Sequence, residues 1–239
     1  MAKQKRKSIR NFKKGRKIAK KAFAVRIFSI GAAILLVLVS VVGITTVAAA
    51  SKKDMLESFR YEVRSAVETM TSNINTVYDN SKENNTNLSE SRDLAIRMVS
   101  NGVWNNSNRG FWALETDGTL LAKVENGDTD KKPGDNVWDL QDADGKFIER
   151  EIIAAAKQGG GFVDFRIQNE AVSNAYIAYA LPTEFGFVVD ATFDMNYFES
   201  HWSEYVTTAV AESVVVIILA VAVILLIIGT GMLISKRLV

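Results

Sequence analysis

The residues of this chain able to do chemistry are mostly acids, and the densest set is Asp142, Asp144, Gly145 and Glu151. Their spacing matches the third, fifth, sixth and twelfth places of a calcium-binding EF-hand loop. The first place, which must offer a ligand oxygen, is Leu140, and no clear helix leads into it. Residues 142–145 therefore read as a turn that starts the next helix. The chain has no Cys, which removes disulfides, thiolate nucleophiles and thiolate metal sites. A single His, His201 beside Trp202, excludes any site built on two imidazoles and reads as an interfacial side chain. No nucleophile elbow, phosphate loop or kinase signature is present, so no catalytic residue, metal or cofactor is assigned. The domain is expected to bind something rather than convert it.

The charges are segregated along the chain. Residues 1–26 hold twelve Lys or Arg and no acid, while residues 51–212 hold fifteen basic residues against all 27 acids. Residues 27–50 and 213–235 carry no charge. A bilayer core about 30 Å thick is crossed by roughly 20 helical residues, so both segments are long enough. A signal peptide is the rival for the first, but such apolar cores usually run about 7 to 15 residues. Basic residues lie outside both spans (the tail on one side, Lys236 and Arg237 on the other). Both ends are therefore expected in the cytoplasm and residues 51–205 outside. The basic tail then serves anionic head groups, not nucleic acid.

The middle must supply whatever site exists. Residues 54–80 carry Leu56, Val63, Met70 and Val77 seven apart, with Phe59 and Ala66 between, which predicts a long helix. Its stripe suits packing on its own domain or pairing with a second subunit. Both are expected, on different faces, with Leu56, Val63 and Met70 in a homodimer seam. Asn87 with Glu90 resembles a capping box that opens a helix to about residue 100. Runs 111–114 and 119–124 flank Thr116-Asp117-Gly118, a hairpin signal. A loop with Pro133-Gly134 and Trp138 comes next. Residues 147–158 read as a short helix with Ile148, Ile152, Ile153 and Ala156 on one side. Residues 162–167, 175–181 and 187–193 read as strands; in the first, Val163, Phe165 and Ile167 oppose Phe162, Asp164 and Arg166. Five strands, one long helix and two short ones predict an α+β fold with an antiparallel sheet.

The ordered set GFWALETDGTLLA (110–122), PGDNVWDLQDADG (133–145), GGGFVDFRI (159–167) and YIAYALPTEFGFVVDATF (176–193) resembles extracellular Cache sensors. The likeness is to the single-Cache type of bacterial chemoreceptors and sensor kinases, over about residues 51–200. It implies a long helix leading from the membrane into a PAS-like antiparallel sheet. It also implies a small ligand, often a short carboxylate or amino acid, between the sheet and the loop before the short helix. Residues 1–26 are then a cytoplasmic tail, 27–50 and 213–235 the membrane helices, 51–205 the sensor, and 236–239 the start of a linker of HAMP type. A cytoplasmic signalling module is expected beyond residue 239. The alternative is the input half of a sensor histidine kinase or nucleotide cyclase.

Two positions depart from that family's pattern: Ala122-Lys123 where a His-Pro pair is common, and Asn174 where a ligand-binding Lys is frequent. Arg166, with Arg109 second, is then the expected grip on an anionic ligand, because guanidinium binds carboxylate in bidentate fashion. Trp112, Trp138, Tyr176 and Tyr179 are expected as pocket walls. Asp190 or Asp164 would partner a cationic ligand instead.

Overall fold

The computed structural model describes residues 2–104, 109–123, 130–168 and 173–237. The chain forms two compact units, one of Met1–Lys52 with Ser203–Val239 and one of Lys53–Trp202.

The first unit is helical. It contains the start of helix α1 (Ala2–Glu83) and most of helix α4 (Met195–Arg237). Both helices are long and apolar enough to cross a membrane, and their apolar windows are not buried by the protein. Leu35 is 62% exposed and Leu219 60%, an arrangement that only lipid or a partner helix satisfies. The hydroxyls of Ser40 and Thr46 each donate to the carbonyl four residues back, at 2.8 Å, which satisfies them without water.

The second unit is built on one antiparallel sheet. The expected hairpin forms between β2 (Arg109–Leu114) and β3 (Leu120–Lys123), with Trp112 opposite Lys123. Gly118 closes its turn at φ +87°, where glycine carries no steric penalty. The other strands are β1 (Val103–Trp104), β4 (Gly161–Gln168), β5 (Ser173–Pro182) and β6 (Val188–Asp194). Their order is β1-β2-β6-β5-β4, with β3 also paired to β2. The fold is thus the expected α+β one, with six strands among the described residues instead of five. The added strand has two residues, too few for an alternating pattern to show.

Each face of the sheet is covered differently. On one side, α1 and helix α2 (Leu88–Asn101) bury Val63, Val67, Ile74, Ala95 and Val99 against Phe111, Val189, Ala191 and Phe193. Asn87 caps α2 by accepting from Ser89 N at 3.0 Å, and its amide donates to Glu90 at 3.1 Å. The capping pair holds, but Glu90 reaches the Asn87 side chain where a capping box uses the backbone N–H. On the other side, helix α3 (Ile148–Lys157) and residues 130–147 cover Leu114, Val163, Phe165, Ala178, Ala180 and Val188.

The heptad stripe needs a correction. Val63 is 1% exposed, and Leu56, Phe59, Ala66 and Met70 pack against the same core. Phe59 stacks on Phe193 with centroids 4.7 Å apart. The stripe is turned into its own domain and is not open to a partner. The opposite face, with Tyr61 at 72% exposure, is the one left to solvent.

Candidate functional site

Strand alternation decides which side chains meet. In β6, Val189, Ala191 and Phe193 face α1, so Val188 and Asp190 face α3. Asp190 pairs in register with Trp112 on one side and Ala180 on the other. Trp112 in turn pairs with Lys123, so Asp190, Trp112 and Lys123 form one row across three strands. Tyr176 lies on the same face, 9% exposed and stacked on Phe165 at 5.5 Å.

The loop brings Trp138 to this face through a chain of backbone contacts. Val137 N donates to Gly118 O at 2.8 Å, and the Asn136 amide donates to Asp117 O at 3.1 Å. Asn136 Oδ1 also accepts from Trp138 N at 3.0 Å. From α3, Arg150 donates to Trp138 O at 3.1 Å and to the Asp139 carboxylate. Its guanidinium lies 3.7 Å from the Phe147 ring centroid and 5.3 Å from that of Trp138. Trp138 therefore packs against the sheet-and-helix core as a partly exposed wall.

The α3 side of the sheet also buries two acids. Glu149, in the first turn of α3, is 3% exposed, and Asp190 is 2% exposed. One oxygen of each, Oε2 of Glu149 and Oδ2 of Asp190, is shielded and has no hydrogen-bond partner. Burial pushes the Glu149 carboxyl up to about 7. Burial, and then the charge of Glu149, holds Asp190 well above the ordinary carboxylate range. A buried acceptor left unmade costs about 1–3 kcal/mol, so this pair is an expense the fold alone does not explain.

The sequence-named residues thus divide. Trp112, Trp138, Tyr176 and Asp190 share the α3 face. Arg166 does not: it lies with Phe162 and Asp164 on the α1 side, where Arg60 lies 5.5 Å from the Phe162 centroid and 3.8 Å from Asp164. There Arg166 grips Asp144 in bidentate fashion, at 2.7 Å to Oδ1 and 3.0 Å from Nε to Oδ2. It lines a shallow groove of about 470 Å³ with Arg60, Asp142, Asp164 and Met195. Tyr179 packs in the α1-side core. The side chain of Arg109 lies outside the described residues.

Residues 142–145 form the expected turn, and their acids are used locally. Asp142 Oδ1 accepts from Asp144 N and Lys146 N, both at 2.8 Å, and Ala143 N donates to Arg166 O at 2.7 Å. The segment runs along the outer edge of β4 and pairs groups that an edge strand leaves open. Among the described residues no group of three acids or imidazoles is placed to hold a metal. Glu149 is the residue that sequence reasoning missed. It stands three and four residues before Ile152 and Ile153, on the buried side of α3, and that spacing was the available signal.

Comparison with known proteins agrees with this architecture. A Cache domain family profile, dCache_2, matches residues 15–214. A periplasmic sensor domain of a chemotaxis protein is 19% identical, with TM-score 0.52, over 59% of this chain and 97% of that one. A methyl-accepting chemotaxis protein from Vibrio parahaemolyticus RIMD 2210633 is 16% identical, with TM-score 0.52, over 63% of this chain and 98% of that one. A Cache chemosensory domain solved for carboxylic acid recognition is 15% identical, with TM-score 0.51, over 59% and 97%. A search of curated proteins finds no match. With a family match across most of its length, and with the long helix and antiparallel sheet that match requires, the chain belongs to the Cache domain family.

Proposed function

We propose that the chain is the sensing and membrane-spanning part of a chemoreceptor, which binds a small polar molecule outside the cell and signals to a cytoplasmic module. The observation that carries this reading is the α3 face of the sheet. Two aromatic walls, Trp112 and Trp138, share that face with two buried acids that each keep one oxygen without a partner, in a domain flanked along the chain by two membrane-length helices. Ligand sites are concave and largely apolar with a few polar groups, and an unsatisfied buried acceptor marks where a ligand donor is worth most.

The basic tail and the acidic middle support cytoplasmic ends and an external sensor. A homodimer would carry the signal as a shift of α1 and α4 between subunits. The test is a thermal-shift screen of the full chain in nanodiscs against short carboxylates, amino acids, amines and purines. A stabilising hit that Trp112→Ala abolishes supports the reading. A hit that the variant binds as tightly as the parent places the site elsewhere. No hit from any class defeats the sensor reading.

A further inference from the structure

If the α3 face is a sensor's binding site, a proposal on which this inference rests, its acids also fix the charge of the ligand. We propose that this site takes a small organic cation, a primary ammonium held between the carboxylates of Glu149 and Asp190 with the Trp112 ring beside it.

The first ground is hydrogen-bonding chemistry. Each acid is nearly fully buried and each keeps one shielded oxygen without a donor. Carboxylates accept only, and an ammonium brings three donors on one compact charge, so a single ligand group can serve both. The second is that two guanidiniums of this domain are committed elsewhere. Arg150, the neighbour of Glu149, is held by Asp139, by the Trp138 carbonyl and by the Phe147 ring. Arg166 is bound to Asp144 across the sheet. The third is Trp112, the cross-strand neighbour of Asp190, because an aromatic within about 6 Å favours a cation once water is excluded.

A short carboxylate would add a third acidic group to this pair. A calcium ion wants six to eight oxygens, and among the described residues no three-acid cluster exists. Among the described residues, the other ionisable groups that the packed elements bring to this side are Lys123 on β3, Tyr176 on β5, Asp194 on β6 and Arg150 on α3.

Without ligand, burial keeps protons on the pair, and Glu149 loses its own only near pH 7. An ammonium needs the charged forms, so binding releases protons and tightens as pH rises. A carboxylate held by protonated Glu149 and Asp190 does the reverse. The two ligand classes therefore differ in sign.

The experiment is titration calorimetry on the full chain in nanodiscs at pH 6 and pH 8. The probes are methylamine, propylamine, ethanolamine, propionate and calcium chloride, with the amine runs repeated in two buffers of different ionisation enthalpy. At least one amine binds, about tenfold tighter at pH 8 than at pH 6, with net proton release. Glu149→Gln and Asp190→Asn each weaken it tenfold or more. The proton count on the parent keeps the test decisive if a variant fails to fold. Binding of propionate alone, tighter at pH 6, overturns the cation assignment and leaves the sensor reading standing. Calcium binding without amine binding overturns it likewise. Silence from every amine overturns it too, and silence from the whole screening panel takes the sensor reading with it.

Discussion

Gly118 is packed against Trp138. A Cβ added at Gly118 would stand 2.8 Å from Trp138 Cβ and 3.0 Å from its backbone N, on a residue whose φ is +87°. The turn of the β2–β3 hairpin thus sets the position of a wall of the candidate site. Gly118→Ala combines an unfavourable φ with a clash against backbone, and the expected loss is about 1–3 kcal/mol of stability. A thermal melt checks it, and near-UV circular dichroism should show a changed tryptophan signal. Unchanged stability would mean that the loop gives way freely and does not fix Trp138.

Stability should fall as pH rises through the neutral range. Burial raises Glu149 from an ordinary 4.5 to about 7, and burial followed by the charge of Glu149 raises Asp190 well above its ordinary value. A raised carboxyl pKa contributes stability below the unfolded value, and this is lost as pH climbs towards the folded value. Between about pH 4.5 and 7 the loss from Glu149 is on the order of 2–3 kcal/mol. Denaturant melts across that range should show it, and Glu149→Gln should flatten the slope. A slope that survives both Glu149→Gln and Asp190→Asn would assign it to other groups.

The free face of α1 is the place to look for a second copy. The chain has no native Cys, so introduced ones report cleanly. Cys at Tyr61, Glu68 or Ser72, all exposed, should cross-link between subunits under mild oxidation. Cys at Val63, Val67 or Ile74, all buried, should not. Equal cross-linking at both sets would deny a dimer through this face.

Membrane topology has a direct check. Reporter fusions after Lys131 and after Val239 should report an external site and a cytoplasmic one, because the basic clusters lie outside both spans. A cytoplasmic readout at Lys131 would reverse the orientation.

What was legible in the chain came from local physics. Asp117-Gly118 announced a turn, the apolar side of residues 148–156 announced α3, and alternation separated Val163 and Phe165 from Asp164 and Arg166. Alternation does not say which face meets the loop. That depends on β4 pairing with β5 at the sheet edge, and so Arg166, chosen as the grip, stands on the α1 side. Glu149 was hidden for a related reason. A Glu in the first turn of a helix is ordinarily a solvated partner of the helix dipole, and only docking on the sheet buries this one. The heptad stripe was real but did not name its partner, because a sheet and a second helix accept the same apolar face.

Binding of a small molecule on the α3 face, between the sheet and the Trp138 loop, is tested most directly by hydrogen–deuterium exchange. The full chain in nanodiscs is compared with and without the strongest binder from the screen. Protection is expected in residues 136–140, 147–153, 109–114 and 188–190, with residues 164–166 and the Arg60 turn of α1 unchanged. Protection confined to residues 142–146, 164–166 and 56–60 would contradict it, because the ligand would then lie in the Arg166 groove on the opposite face.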